Sequence, residues 1–519
     1  MFSLLIKNAT VIDGTGTKSI IADVAVEDDK IVAINNNITK GAKTVWDGTG
    51  LVLAPGFIDV QNHSDSYWQL FDNPNLHSLI SQGYTTVLVG NSGTSLAPII
   101  SEHSLLSVQK WQSISGLNVN WRSFEEYKDQ LNKLQFGCNV SSLIGYSTIR
   151  RGLLGDSLEA PTPGEFESLL RLVESGLKNG ASGVSVGLQY SHELNVSEVE
   201  LIGLAELCAK YDRILAVSLR NETDEVVDSV RELASIAEHT KVKLKISHLK
   251  IRYKQYWPLL KDLLDTIETS WHRGAKIYFD CYPYTFTWQP LYTYLPQWSL
   301  EGGRSHLLTR LNDPDQSQKI LTELKNSPAK ISELIIASTA TGLKVNGRKL
   351  SEIGKDMNCT SEQALINLVR SGGATTLVFD ECLDPENMDA LINHSLAFIA
   401  TNGGGFSLEH TDKLIHPRSF GTAPLFIKNV ISRKLISLEE AIAKLTSRPA
   451  DLVGLNKRGK IAVDYYADLV LFNPKTINSK ANISNPYQYP NGIEAVWVNG
   501  NLATLKNIPT GQLSGKFLY

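Results

Sequence analysis

Leu51-Val52-Leu53-Ala54-Pro55-Gly56-Phe57-Ile58-Asp59-Val60-Gln61-Asn62-His63-Ser64-Asp65, followed after a helical stretch by Tyr84-Thr85-Thr86-Val87-Leu88-Val89-Gly90-Asn91-Ser92-Gly93, is the segment on which the reading of the fold turns. Two apolar runs each stop abruptly in small and polar residues. A buried parallel strand has this pattern when its C-terminal end opens into a site. In barrels and open α/β sheets the chemistry lies at such ends. Gln61, Asn62, His63, Asp65, Asn91 and Ser92 are the first residues to explain.

Outward from that segment the chain keeps alternating. Short apolar strands are expected at residues 142–145, 183–186, 214–218, 243–247 and 276–279. Amphipathic helices at 164–179, 196–211 and 223–239 separate them, with apolar residues at three- and four-residue intervals. With 334–337, 376–378 and 397–400 added, about eight β/α units can be counted. The fold class is α/β, a distorted (β/α)8 TIM-like barrel over residues 58–454. Residues 285–330 are rich in aromatics and proline and break the rhythm as an inserted lid. The two ends, 1–57 and 455–519, share short strands with turn residues and are read as one small β-sandwich domain.

Composition narrows the function. Apolar residues make up 42% of the 519, charged residues 20%, and the net charge is −4, so neither nucleic acid nor an anionic membrane is an expected partner. No stretch of 18 apolar residues is present, and residues 1–10 alternate as a strand. A cytoplasmic protein is expected. Cys138, Cys208, Cys281, Cys359 and Cys382 are widely spaced and lack any CxxC, which argues for reduced thiols.

Several motifs together carry a family likeness. They are Ala54-Pro55-Gly56-Phe57-Ile58-Asp59, Ser95-Leu96-Ala97-Pro98, Arg220-Asn221-Glu222, Ile246-Ser247-His248-Leu249-Lys250, Asp280-Cys281-Tyr282-Pro283-Tyr284 and His416-Pro417-Arg418 with Phe420-Gly421-Thr422. The chain resembles the amidohydrolase superfamily, and within it the N-acyl-D-amino-acid deacylase (D-aminoacylase) branch. The resemblance implies a zinc-bearing barrel mouth that hydrolyses N-acyl amino acids. It also implies where this chain departs. The first His of a His-x-His motif is Gln61, a cysteine ligand is Ser92, and Gly-His is Gly145-Tyr146. A strand-five histidine is Ser218, and the aspartate of Ser-Asp-Gly is Asn402. His63 and His248 remain, short of the three protein ligands usual for catalytic zinc.

No metal cofactor is therefore expected. The leading reading is an enzyme acting on the C–N amide bond of an N-acyl amino acid or related small amide. Its chemistry would be His/Ser acid–base or nucleophilic, leading to hydrolysis, acyl transfer or cyclisation. His248 would activate Ser218 or Ser92, while His63 and Asn402 orient the carbonyl. The resemblance implies that Lys250, Tyr282 and Arg418 bind a substrate carboxylate, with Tyr190 and Tyr146 beside them; His410 and His416 are weaker candidates. A second reading is a non-catalytic barrel that binds such ligands or a protein partner. A third is a metal-dependent D-aminoacylase with an atypical site, one weakly held zinc ion at His63 and His248.

Overall fold

Eight short strands run parallel around the middle of the chain. They are β1 (Phe57–Asp59), β2 (Tyr84–Val89), β3 (Asn139–Ser142), β4 (Gly183–Gly187), β5 (Ile214–Ser218), β6 (Lys243–Ile246), β7 (Lys276–Cys281) and β8 (Ala397–Ile399). The computed structural model describes the chain apart from residues 110, 112–113, 115–117, 158, 191, 342–343, 373–374 and 410–412. β3 is interrupted at Leu143 and continues as Ile144–Gly145, which pairs with β4. Between β8 and β1 the ring closes through an isolated parallel bridge, Asn62 to Gly403. Asp59 secures the seam, accepting from the Thr401 amide at 3.0 Å and its hydroxyl at 2.5 Å.

Local chemistry explains the surrounding helices. Pro163–Lys178 begins with Pro at its first position behind a Thr162–Glu165 capping box, and Glu198–Lys210 begins with a Ser197–Glu200 box. In each box the side chains satisfy amides that the first helical turn leaves unpaired. The helices bury their apolar stripes on the outer faces of the strands, so both strand faces are dry and the runs read as continuously apolar.

Two of the strands counted for the barrel lie elsewhere. Ile335–Ser338 and Leu377–Glu381 join Phe286–Pro290 in a three-stranded antiparallel sheet. That sheet adjoins a separate apolar core that includes Leu291, Leu307, Leu311, Ile320 and Leu365. The insertion between β7 and β8 thus extends well past residue 330. A four-residue apolar run looks the same in a barrel and in a small antiparallel sheet.

The chain ends meet in one nine-stranded sheet, where Val52–Pro55 pairs antiparallel with Leu469–Phe472, Leu53 opposite Leu471. Asp468 anchors this sheet to the barrel. It pairs with Arg458, accepts from Asn499 N at 2.8 Å and is reached by Asn139 of β3 at 3.3 Å, all buried. Asp468→Ala would leave the Arg458 guanidinium buried without its counter-charge. Urea unfolding should show a loss of about 3–5 kcal/mol; an unchanged midpoint would contradict this role for the pair.

Candidate active site

The strand ends bring Gln61, Ser92, Ser218 and His248 into one buried cluster, where each is 3% exposed or less. Three site residues sit in the left-handed region, Ser92 at φ 53°, His248 at 42° and Asn402 at 46°. For non-glycine residues such conformations persist where surrounding bonds over-determine them, and they cluster at functional sites. Gly90 is required for the same turn as Ser92, because at φ 78° a Cβ would stand 2.3 Å from the Leu143 carbonyl oxygen.

Two lysines organise the cluster from opposite sides. Lys250 Nζ donates to Glu222 Oε1 at 2.5 Å, His248 Nδ1 at 2.9 Å and the His248 carbonyl at 3.1 Å. An ammonium only donates, so Nδ1 is the acceptor and the neutral ring carries its proton on Nε2. Burial, with Lys250 adding to it, pushes the His248 pKa down and keeps the ring neutral. Nε2 then donates to Ser218 Oγ at 3.2 Å, and Ser218 donates to Ser92 Oγ at 3.2 Å. From the other side Lys245 Nζ gives hydrogen bonds to Gln61 Oε1 (2.6 Å), Asp280 Oδ2 (2.6 Å) and Ser247 Oγ (3.3 Å). Gln61 Nε2 passes the donation on to Ser92 Oγ at 3.1 Å. Asp280 Oδ1 accepts the His248 amide at 2.8 Å, which closes the ring. Donors from both sides converge on Ser92.

The charges follow from this pairing. Burial alone would raise the Glu222 pKa, but the Lys250 ammonium outweighs it and the carboxyl is held at about 2. Burial lowers the Lys250 and Lys245 pKa values, against the raising effect of Glu222 and Asp280 respectively. Away from the ring, His63 Nε2 bonds Asn402 Oδ1 at 2.9 Å, and the His63 ring lies 5.5 Å from Trp111.

Some sequence expectations change. His248 faces Ser218 through Nε2, with Lys250 and Glu222 both close to Nδ1. Lys250 was expected to meet a substrate carboxylate, yet its hydrogen bonds go to Glu222 and His248. Tyr146 turns outward to the helix layer, where its hydroxyl donates to Glu200 at 2.6 Å beside Arg150. His416 is engaged by the Phe286 carbonyl and the Arg418 amide, and His410 lies outside the described residues. Tyr190 and Tyr282 are both buried. Arg418, 2% exposed, lies 4.8 Å from the Tyr282 ring and 5.8 Å from Trp288. Among the described residues its Nε has no hydrogen-bond partner, and the groups acting most strongly on its charge are Tyr282, Tyr67 and Tyr190. Lys245, Glu222 and Asp280 were not among the sequence candidates. A lysine inside the run Leu244-Lys245-Ile246 of a buried strand was the signal for the first.

Comparison with known proteins agrees with this architecture. A profile described as "Amidohydrolase family" matches residues 425–503. The N-acyl-D-aspartate deacylase of Alcaligenes xylosoxydans xylosoxydans is 30% identical over 500 residues, covering 96% of this chain and 91% of that one. The chain belongs to the amidohydrolase family. Its branch is that of the N-acyl-D-amino-acid deacylases, enzymes of carbon–nitrogen bonds other than peptide bonds. D-aminoacylase of the same organism is 29% identical over 518 residues, covering 100% of this chain and 97% of that one. The crystal structure of N-acyl-D-glutamate deacylase from Bordetella bronchiseptica, complexed with zinc and a phosphonate inhibitor, superposes with a TM-score of 0.85 at 27% identity, covering 100% and 99% of the two chains.

The donor set of this family member does not fit that zinc. Gln61, Ser92, Ser218 and Asn402 are neutral, and Asp280 is paired to Lys245. Among the described residues no three His, Cys, Asp or Glu side chains come together to hold an ion. Another carboxylate beside the site, Asp65, is fully buried, accepts from Gly90 N at 2.9 Å, and is pushed up to about 7 by burial. The folded protein therefore keeps a proton on Asp65 that the unfolded chain releases near pH 4. This contribution is fully present below pH 4 and is lost as pH rises through about 7. Asp65→Asn should flatten the decline in unfolding free energy between pH 4 and 7; an unchanged slope would contradict the assignment.

Proposed function

We propose that this chain hydrolyses the amide of an N-acyl-D-amino acid without a bound metal, with Ser92 as nucleophile. The observation that carries the substrate class is Arg418. It is a buried guanidinium that faces tyrosines and, among the described residues, pairs with no carboxylate, and Lys250 adds positive charge nearby. A buried cation without a counter-ion is costly, and a substrate carboxylate would relieve it by planar, bidentate pairing. The deacylase relatives act on molecules of this kind, N-acyl-D-aspartate and N-acyl-D-glutamate among them.

The converging hydrogen bonds support the chemistry. Gln61 and Ser218 both donate to Ser92 Oγ, which stabilises negative charge on that oxygen as it attacks. In the proposed reaction Ser92 Oγ bonds to the acyl carbon, the C–N bond breaks, and the Ser92 hydroxyl proton ends on the leaving nitrogen. Water then cleaves the Ser92 ester to release the free acid. Ser218 and His248 hold the proton order of the site, and the His63–Asn402 pair lies beside the reacting carbonyl.

The test is turnover of a panel of N-acyl-D-amino acids by the wild type and three variants. Ser92→Ala should lose about 10⁴-fold or more in kcat, and His248→Ala about 10²–10⁴-fold. Arg418→Met should raise KM about 100-fold, in line with a lost charged hydrogen bond to the carboxylate. Acid-quenched wild-type enzyme should carry the acyl group on the peptide containing Ser92. Full activity in Ser92→Ala would sink the proposal, and so would turnover that appears only when zinc is added.

A further inference from the structure

Lys245 touches no reacting atom in the proposed reaction, and its side chain is the most enclosed charged group in the ring. Its side chain is fully buried on β6 inside the barrel. Three N–H donors meet three oxygens of different kinds, the Asp280 carboxylate and Gln61 amide at 2.6 Å and the Ser247 hydroxyl at 3.3 Å. Such an oxygen cage is the environment a small cation takes, and here the cation is an ammonium attached to the chain.

Two consequences follow from its position. An amide side chain has one oxygen, and Lys245 takes it, so Gln61 must turn its nitrogen toward Ser92, 3.1 Å away. A fixed positive charge also raises the energy of any second cation placed within a few ångströms, most of all where solvent is excluded. The alternative is that Lys245 merely neutralises Asp280, in which case its loss would affect stability but not ion affinity.

The geometry points to Lys245 as the built-in cation of this site, a positioning residue that orients Gln61 toward Ser92 and keeps divalent metal out of the barrel mouth. The inference deepens the metal-free reading, but its test needs no substrate. Its failure can therefore be told apart from an absence of turnover.

The full-length wild type, Lys245→Ala and Lys245→Ala/Asp280→Asn would be stripped with chelator and titrated with zinc and with cobalt(II). Calorimetry, metal analysis and the visible cobalt spectrum would report binding. Lys245→Ala should bind either ion at least about tenfold more tightly than the wild type, as expected once a nearby like charge is removed. The double variant, lacking the carboxylate of the cage, should lose that gain. Methylammonium, refilling the vacated position, should compete with zinc in Lys245→Ala and raise its melting temperature. Equal zinc affinity in the wild type and Lys245→Ala would overturn the inference, as would methylammonium without effect on either. If Lys245→Ala does not fold, the wild type and a second variant decide. Stoichiometric zinc in the wild type overturns the inference, and Lys245→Met, which keeps the volume without the charge, repeats the titration with the same two outcomes.

Discussion

A carboxylate taken out of water must be met by a positive charge and by hydrogen bonds, and Asp280 is the place where this site meets that constraint. One oxygen is paired to Lys245 at 2.6 Å, and the other accepts the His248 amide at 2.8 Å. Breaking such a buried pair costs about 3–5 kcal/mol. The pair ties the end of β7 to β6 and to the residue that carries the imidazole. It also fixes Gln61, which reaches Ser92 from β1. Removing it would loosen four strand ends together.

The second pair, Lys250 with Glu222, does for the imidazole what Lys245 does for the amide. Each lysine dictates which way protons are donated, and the two sequences of donors meet at Ser92 Oγ. The left-handed backbone at Ser92, His248 and Asn402 costs of order 1–3 kcal/mol at each residue. At Ser92 and His248 the bonds that oppose this strain belong to the same network. Fold and site are thus one problem here, since the interactions that aim the side chains also hold the strand ends in conformations they would not otherwise keep.

Much of this was legible in the sequence. The barrel could be read because doubly buried strands are apolar without interruption, and because helix starts such as Thr162-Pro163 and Ser197 carry their own caps. Ser92 could be found because it ends such a strand, and Ser218 and His248 because the family resemblance marks their positions. Lys245 escaped because in a strand buried on both faces, alternation does not say which residues point into the barrel. Tyr146 misled because it follows a strand but opens a helix, Tyr146–Leu154, whose hydroxyl finds Glu200. The role of Lys250 depended on Glu222, a contact between separate strand ends that no local pattern announces. Residues 334–337 and 376–378 were counted as barrel strands for want of any local difference between the two kinds of sheet.

If fixed lysine ammonium groups take the place of a transition metal at this barrel mouth, zinc has no seat there. Diffraction from crystals grown with excess zinc, recorded on both sides of the zinc absorption edge, addresses it most directly. The account predicts no anomalous peak among Gln61, His63, Ser92, Ser218, His248 and Asn402, with Lys245 Nζ seated between Asp280 and Gln61. A strong peak there, with His63 and His248 turned to bind it, would contradict the account.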